Sequence, residues 1–352
     1  MSHVKNIQAR LGDLPALVMT DAVNIRYACG FHIDDGAAVI ARDKAWVITD
    51  SRYVEAASAA ITDMEVLCTA PGRPQSAILA EIFAQNGFDK AGAMPGYLTH
   101  AMWQWLEKTL SVPLVSTDIV TALRTSKDAR EVDSIVAAQR IAEKALDEVL
   151  GILRPGLTEK QVAAELVYRM YKYGSEANAF DPIVVTGAKS SMPHGVPGDV
   201  VIQDGDFVTM DFGAVYNGYC SDMTRTVAVG HATDEMRQVY DTVLQAQLAG
   251  IQAAAPGVTG QAIDGAARKV IADAGYGEYF GHGFGHSLGL EIHENPGANS
   301  RGDQPMPEGA VISAEPGIYL PGRFGVRIED MLWLHDGKAE NLTKAPKELI
   351  VL

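Results

Sequence analysis

Cysteine, positive charge and long apolar runs are all scarce in this sequence of 352 residues. Its three cysteines, Cys29, Cys68 and Cys220, are odd in number and lack a CxxC spacing, which argues against a disulfide framework and a cysteine-based zinc site. Lysine and arginine total 29 against 44 aspartate and glutamate residues, a formal net charge of −15. The clustered positive charge that nucleic acid or an anionic membrane requires is therefore missing.

The lack of long apolar runs also indicates where in the cell the protein is found. No apolar run approaches the roughly 20 residues that span a bilayer. The opening residues, Met-Ser-His-Val-Lys-Asn-Ile-Gln, contain no apolar stretch typical of a secretory signal. We therefore expect a soluble cytoplasmic protein whose partners include neither nucleic acid nor a membrane.

The order of predicted elements indicates two domains, as does a length beyond the usual single core. In residues 1–124, short apolar runs such as Ala16–Met19 are typical of strands and alternate with helical patterns, which predicts a small α/β domain. In residues 125–352, two pairs of helices each precede a group of strands. The second domain is therefore predicted to be α+β, with two similar halves.

The most informative stretch is a turn between two aspartates. Asn217-Gly218 suits a two-residue type I′ turn, because both central residues need a positive φ. Antiparallel pairing around this turn opposes Asp211 to Thr224, and Asp222 then projects from the same face. Two carboxylates at this spacing suit a pair of metal ions. From the hairpin alone, a surface aspartate at position 222 explains the pattern equally well.

Further chemistry-bearing residues follow downstream. Three of the nine histidines, His282, His286 and His293, fall in one short glycine-rich segment, where glycine lets the backbone approach a ligand closely. Glu315 and Glu329 each end an apolar, strand-like run. Because a buried acid is normally paired or bound to metal, each glutamate is expected either to have a charged partner or to bind metal, and one of the histidines is a predicted ligand.

Five of these residues, in this order and these contexts, resemble the methionine aminopeptidase, prolidase and aminopeptidase P superfamily, the pita-bread metallopeptidases. The resemblance extends from about residue 125 to the end of the chain. It implies a creatinase-like α/β domain in residues 1–124 and a catalytic pita-bread domain in residues 125–352, whose two helix–strand halves are related by a pseudo-twofold axis. The five residues are Asp211, Asp222, His286, Glu315 and Glu329.

The resemblance implies that these five residues hold two divalent metal ions. Four carboxylates would balance the four positive charges, which makes burial of the centre feasible. Oxygen donors with one imidazole and no thiolate suit Mn²⁺ best, with Co²⁺, Zn²⁺ and Fe²⁺ as alternatives.

The resemblance also implies roles for individual residues. Glu315 is expected to move the proton from metal-bound water to the leaving amine, and a metal-bridging hydroxide is the expected nucleophile. His194, within Ser-Met-Pro-His-Gly, and His293 are expected to be catalytic. Arg327 either orients a ligand carboxylate or binds the carboxyl end of the substrate. The residues expected to bind substrate are His282, Arg327 and Arg301.

The domain ahead of the catalytic part and the Pro-His-Gly sequence resemble the proline-specific branch. That branch implies hydrolysis of the Xaa-Pro bond at the amino end of dipeptides or short peptides, with proline in the second position, by a homodimer. A dipeptidase and an aminopeptidase on longer peptides both fit. The alternatives are a creatinase-like or lyase reaction on the same scaffold and a non-catalytic binding protein. Retention of all five ligand positions argues against both alternatives.

Overall fold

The computed structural model describes residues 2–352. Two compact units follow each other along the chain, one ending at Arg124 and the other spanning Thr125–Leu352. Each unit contains its own buried apolar core. Within residues 2–352, no helix combines the length and the apolar character that crossing a bilayer requires.

The first unit is built on a mixed six-stranded sheet, with the strand order β4-β3-β2-β1-β5-β6. The strands are β1 (Ala16–Met19), β2 (Ala37–Ala41), β3 (Ala45–Thr49), β4 (Glu65–Cys68), β5 (Ala91–Ala93) and β6 (Leu114–Ser116). The helices are α1 (Val4–Arg10), α2 (Ala22–Cys29), α3 (Val54–Ala60), α4 (Gln75–Asn86), α5 (His100–Leu110) and α6 (Ile119–Arg124).

The central strands of this sheet are almost entirely apolar. β1, β2 and β3 are buried along their whole length, and side chains of α4 and α5 pack with them in one core. Burial on both faces explains why the sequence shows continuous apolar runs here rather than alternation. The predicted strand at Ala16–Met19 and the predicted α/β class of this unit are confirmed.

The second unit contains two helix pairs, each followed by strands, as predicted. The first group is α7 (Ala129–Leu150), α8 (Glu159–Lys172), β7 (Ile183–Thr186), β8 (Phe207–Phe212), β9 (Val215–Tyr216), β10 (Tyr219–Cys220) and β11 (Met223–Ala228). The second group begins with α9 (Asp234–Ala253) and α10 (Gly260–Asp273). Its strands are β12 (Gly285–Ser287), β13 (Glu294–Ala298), β14 (Val311–Ala314), β15 (Gly317–Leu320), β16 (Phe324–Arg327), β17 (Asp330–His335) and β18 (Lys338–Asn341).

Each helix pair covers its own sheet. Residues of α7 and α8 share a core with β8 and β11 in the three-stranded sheet β11-β8-β7. Residues of α9 and α10 share a core with β14 and β17 in the five-stranded sheet β13-β12-β14-β17-β18. The repeated element order and the pita-bread class are confirmed.

Each helix of the first pair begins at a capping box that the sequence encodes locally. Asp128 and Glu131 form a reciprocal capping box at the start of α7, and Thr158 and Gln161 form another at the start of α8. Each box satisfies backbone N–H groups that have no partner within the helix. These caps determine where α7 and α8 begin, and both helices pack on the sheet that contains β8, the strand that carries Asp211.

Candidate metal centre

The hairpin has the predicted register. Asn217 and Gly218 have φ values of 50° and 80°, as a type I′ turn requires. Thr224 pairs with Asp211 across β8 and β11. Asp211 and Asp222 both line one cavity of about 930 Å³ in the second unit. The turn thus brings two carboxylates to the same space.

Residues from the later strands complete the cluster. One potential ligand atom from each of Asp222, His286 and Glu329 lies within 4.8 Å of the others. The His286 Nε2 atom is 3.4 Å from Asp222 Oδ2 and 3.4 Å from Glu315 Oε1. His286 lies on β12, Glu315 directly follows β14, and Glu329 lies between β16 and β17. The ends of several strands therefore converge with the hairpin.

Asp211 gives a direct test of whether the site suits a cation. Its Oδ2 atom accepts a hydrogen bond of 2.6 Å from Arg327 Nη2. Its Oδ1 atom is buried and has no hydrogen-bond partner within residues 2–352. A buried carboxylate oxygen normally has a partner, so an atom left open beside further carboxylates suits a hard divalent ion. The donor set therefore fits the metal centre expected from the sequence.

A hydroxyl connects the surrounding side chains. Thr224 Oγ1 donates to Glu329 Oε2 at 2.7 Å and accepts from Arg327 Nε at 3.0 Å. All three side chains are buried. Arg327 Nη1 also donates to the backbone oxygen of Pro193 at 3.3 Å. Together these bonds fix the orientation of Asp211 and Glu329.

The carboxyl groups perturb one another. Burial, reinforced by the nearby Asp211 and Glu315 carboxylates, raises the pKa of Asp222 well above its ordinary value. Burial, followed by the charges of Asp222 and Glu315, does the same to the pKa of Glu329. Burial also raises the pKa of Glu315. Each shift reports the cost of placing like charges together in a poorly solvated site, which a cation would relieve.

Burial lowers the pKa of the His286 imidazole. The neutral ring is the form that coordinates metal. Burial likewise lowers the pKa of His282.

The cavity is lined by every residue that the sequence predicts for the site. Beyond the five candidate ligands, these are His194, His282, His293, Arg301 and Arg327. The His293 ring lies edge-to-face on the His286 ring, with 4.4 Å between ring centres. His194, His293 and Arg301 are exposed, whereas Arg327 is only 4% exposed. Solvent-accessible and buried groups therefore face the same space.

Sequence reasoning missed Tyr319. Its hydroxyl accepts a 2.9 Å hydrogen bond from Arg327 Nη1 and lies 2.9 Å from His282 Nε2. Burial raises its pKa to about 12, so the phenol is neutral at physiological pH. No sequence signal marked it, because β15, which carries Tyr319, pairs with β16 in a sheet separate from the one that contains β14.

Apolar residues that line the cavity were also missed. They are Phe180, Ile183, Phe280 and Ile292. They come from three segments, and none belongs to a motif with a recognisable spacing. The cavity thus combines apolar side chains with a charged cluster, as is usual for sites that bind small molecules.

Comparison with known proteins agrees with this geometry. Residues 133–336 match the model of metallopeptidase family M24, and residues 3–126 match that of the creatinase/prolidase N-terminal domain. An uncharacterized peptidase of Bacillus subtilis (strain 168), YqhT, is 38% identical over 100% of this chain and 99% of its own length.

Two solved structures are similar over nearly the whole chain. The Xaa-Pro dipeptidase from Bacillus anthracis has a TM-score of 0.94 and 38% identity, covering 99% of this chain and 99% of that one. The X-Pro aminopeptidase from Thermotoga maritima MSB8 has a TM-score of 0.94 and 36% identity, covering 98% of this chain and 99% of that one. On this evidence, the chain belongs to metallopeptidase family M24.

Proposed function

We propose that the protein is a metal-dependent exopeptidase that hydrolyses the Xaa-Pro bond at the amino end of dipeptides or short peptides. One observation carries the proposal. The five candidate ligands, four carboxylates and one imidazole, line a single cavity, in a chain similar along its length to an Xaa-Pro dipeptidase and an X-Pro aminopeptidase. The bond before proline is a tertiary amide without an N–H, so a dedicated cavity for it is chemically reasonable.

Five residues are proposed to hold two divalent ions. They are Asp211, Asp222, His286, Glu315 and Glu329. The oxygen-rich donor set supports Mn²⁺, and metal analysis would separate it from Co²⁺, Zn²⁺ and Fe²⁺. When bound, such ions supply an activated water and positive charge that stabilises an oxyanion.

Proton transfer is assigned to Glu315. Its carboxyl lines the cavity, with Oε1 3.4 Å from His286 Nε2, and a carboxylate at this place can accept a proton and then donate it to the leaving amine. Ser313 Oγ donates to Glu315 Oε1 at 3.1 Å and holds the carboxyl in one orientation. His194 is assigned to stabilising the tetrahedral intermediate, and His282 and His293 to contacting the substrate backbone around the scissile bond.

The two arginines are proposed to have different roles. Four of the five N–H donors of Arg327 are used by Asp211, Thr224, Tyr319 and the Pro193 carbonyl. These bonds support a role in orienting Asp211 over one in binding substrate. Arg301 is exposed and lines the cavity. We assign it to the carboxylate of a dipeptide substrate, since a guanidinium can bind a carboxylate through two parallel hydrogen bonds.

The remaining proposals concern organisation. Residues 125–352 are proposed to be the catalytic domain and residues 1–124 an accessory domain. The resemblance to the proline-specific peptidases supports a homodimer. The low and odd number of cysteines, three in 352 residues, supports a reducing, cytoplasmic location. Light scattering coupled to gel filtration would test the homodimer directly.

The test of function combines metal analysis with a peptide assay. Purified protein is expected to bind divalent ions and to release proline from an Xaa-Pro dipeptide, but not alanine from the matched Xaa-Ala dipeptide. Protein that binds no divalent ion and releases no proline would contradict the proposal. Asp222→Asn is expected to lower metal occupancy and activity together, and retained activity would remove Asp222 from the centre.

A further inference from the structure

His282 enters the cavity on a segment that has little regular structure of its own. The segment Phe280–Phe284 connects a short 3-10 turn, Gly277–Tyr279, to β12. Glycines occupy positions 281 and 283, on both sides of His282. Because glycine restricts the backbone least, contacts from outside the segment are needed to hold the backbone that carries His282 in place.

Arg268 on α10 supplies the first contacts. Its Nη1 atom donates to the Phe280 carbonyl at 2.9 Å, and its Nη2 atom donates to the His282 carbonyl at 2.7 Å. Its guanidinium also lies over the Phe280 ring, 4.2 Å from the ring centre. One rigid planar group thus fixes two carbonyls and one side chain of the segment.

Asp264, one helical turn earlier, supplies the remaining contacts. Its Oδ1 atom accepts from the Phe284 backbone N–H at 2.9 Å. Its carboxylate also accepts from Arg268 Nε at 2.8 Å and from Arg268 Nη2 at 3.0 Å. The Asp264 side chain is only 2% exposed. The bidentate pair therefore orients the guanidinium while holding the far end of the segment.

A second ion pair on the same helix has the same spacing but is exposed to solvent. Lys269 and Asp273 have the same spacing, with 2.7 Å between Nζ and Oδ2, but their side chains are 74% and 65% exposed. Exposed pairs of this kind contribute little to stability. The Asp264–Arg268 pair, by contrast, is turned toward the segment that carries a cavity residue.

We propose that Asp264 and Arg268 are positioning residues that hold the Phe280–Phe284 segment so that the His282 ring stays in contact with the Tyr319 hydroxyl. The catalytic consequence rests on the proposed peptidase function; the structural consequence does not. Displacement of a substrate-positioning group by about 1 Å typically lowers the reaction rate on the order of 10²-fold. Loss of the Asp264–Arg268 contacts is therefore expected to lower the rate of catalysis by displacing His282.

The first test is a double-mutant cycle on kcat/KM for an Xaa-Pro dipeptide. Arg268→Lys keeps the positive charge but cannot hold both carbonyls and the carboxylate in one plane. We expect it to lower kcat/KM about 10- to 100-fold in the otherwise unchanged enzyme, and less than about twofold when His282→Ala is already present. Lys269→Met is the matched control and should leave kcat/KM unchanged. Equal losses in both backgrounds would overturn the proposal.

The second test needs no activity. The imidazole NMR signals are recorded in histidine-labelled protein, and the His282 signal is assigned by its disappearance in His282→Ala. Arg268→Lys is expected to shift this signal, whereas Lys269→Met is not. Asp264→Asn, which keeps an acceptor for the Phe284 N–H but removes the charge, replaces Arg268→Lys if the latter fails to fold. An unmoved His282 signal would overturn the proposal.

The two readouts separate the inference from the proposed function. If the unchanged protein cleaves no Xaa-Pro peptide, the proposed function fails, and the NMR signal alone decides the positioning role.

Discussion

Removal of the Thr224 hydroxyl should weaken metal binding although Thr224 is not itself a candidate ligand. The hydroxyl donates to Glu329 Oε2 at 2.7 Å and accepts from Arg327 Nε at 3.0 Å. Thr224→Val preserves the shape of the side chain and removes both bonds. Since Thr224 is fully buried, no solvent is available to replace them.

The size of the effect follows from these two bonds. Loss of a hydrogen-bond partner behind a metal ligand typically costs about 10- to 100-fold in metal affinity, which corresponds to about 1.4–2.8 kcal/mol of binding free energy. In addition, each buried polar group left unsatisfied costs about 1–3 kcal/mol in the free energy of unfolding. Thr224→Ser retains the hydroxyl, so metal affinity should be largely restored.

Isothermal titration of Mn²⁺ into metal-free protein measures the affinity, and urea unfolding measures the stability. Thr226→Val is the matched control on the same strand. The Thr226 hydroxyl is equally buried but bonds to Thr209 and to the Arg327 backbone rather than to a candidate ligand. The Thr226→Val protein should therefore be less stable than the unchanged protein but should bind Mn²⁺ with nearly the same affinity. A Thr224→Val protein that binds Mn²⁺ within twofold of the unchanged protein would refute the reasoning.

Three further predictions follow from the site. Asp222 and Glu329 have raised pKa values in the folded protein, so the stability of metal-free protein should fall as the pH rises through and above the ordinary pKa range of carboxyl groups. The rise in Tm caused by Mn²⁺ should therefore be larger at pH 8 than at pH 5.5, and an equal rise at both pH values would contradict this. Arg301→Met should raise KM for an Xaa-Pro dipeptide about tenfold and leave KM for an Xaa-Pro tripeptide unchanged, whereas equal effects in steady-state assays would exclude carboxylate binding. The buried Glu159 carboxylate accepts three hydrogen bonds from the two sides of the loop that carries His194. Glu159→Gln should therefore lower the free energy of unfolding, measured in urea, by about 1–3 kcal/mol. Unchanged stability would show that other contacts hold the loop in place.

The sequence was sufficient for the hairpin because its geometry is set locally. A turn of two residues with positive φ leaves one register for the strands on either side. Asn217 and Gly218 have that backbone geometry, and the pairing of Thr224 with Asp211 follows from it. A shift of one residue would turn one carboxylate away from the cavity. Local turn chemistry therefore determined the positions of two candidate ligands.

The supporting contacts could not be read in the same way, because they join residues distant in the chain. Asp264 and Arg268 have the spacing of an ordinary surface ion pair on a helix. Only the fold brings their side chains to the backbone of Phe280 and His282. Likewise, the position of the Tyr319 hydroxyl depends on Arg327, which belongs to the neighbouring strand. Such contacts are properties of the packed unit.

The structure also changes the charge balance expected for the centre. Four carboxylates alone would neutralise two divalent ions, but Arg327 is buried beside Asp211, at 2.6 Å. The side chains therefore carry a net charge of −3 rather than −4, and two divalent ions would leave one positive charge. The hydroxide expected as the nucleophile would cancel that charge, so the loaded centre would be neutral, which makes its burial feasible. Arg327 thus both orients a candidate ligand and leaves one positive charge to balance an anionic nucleophile.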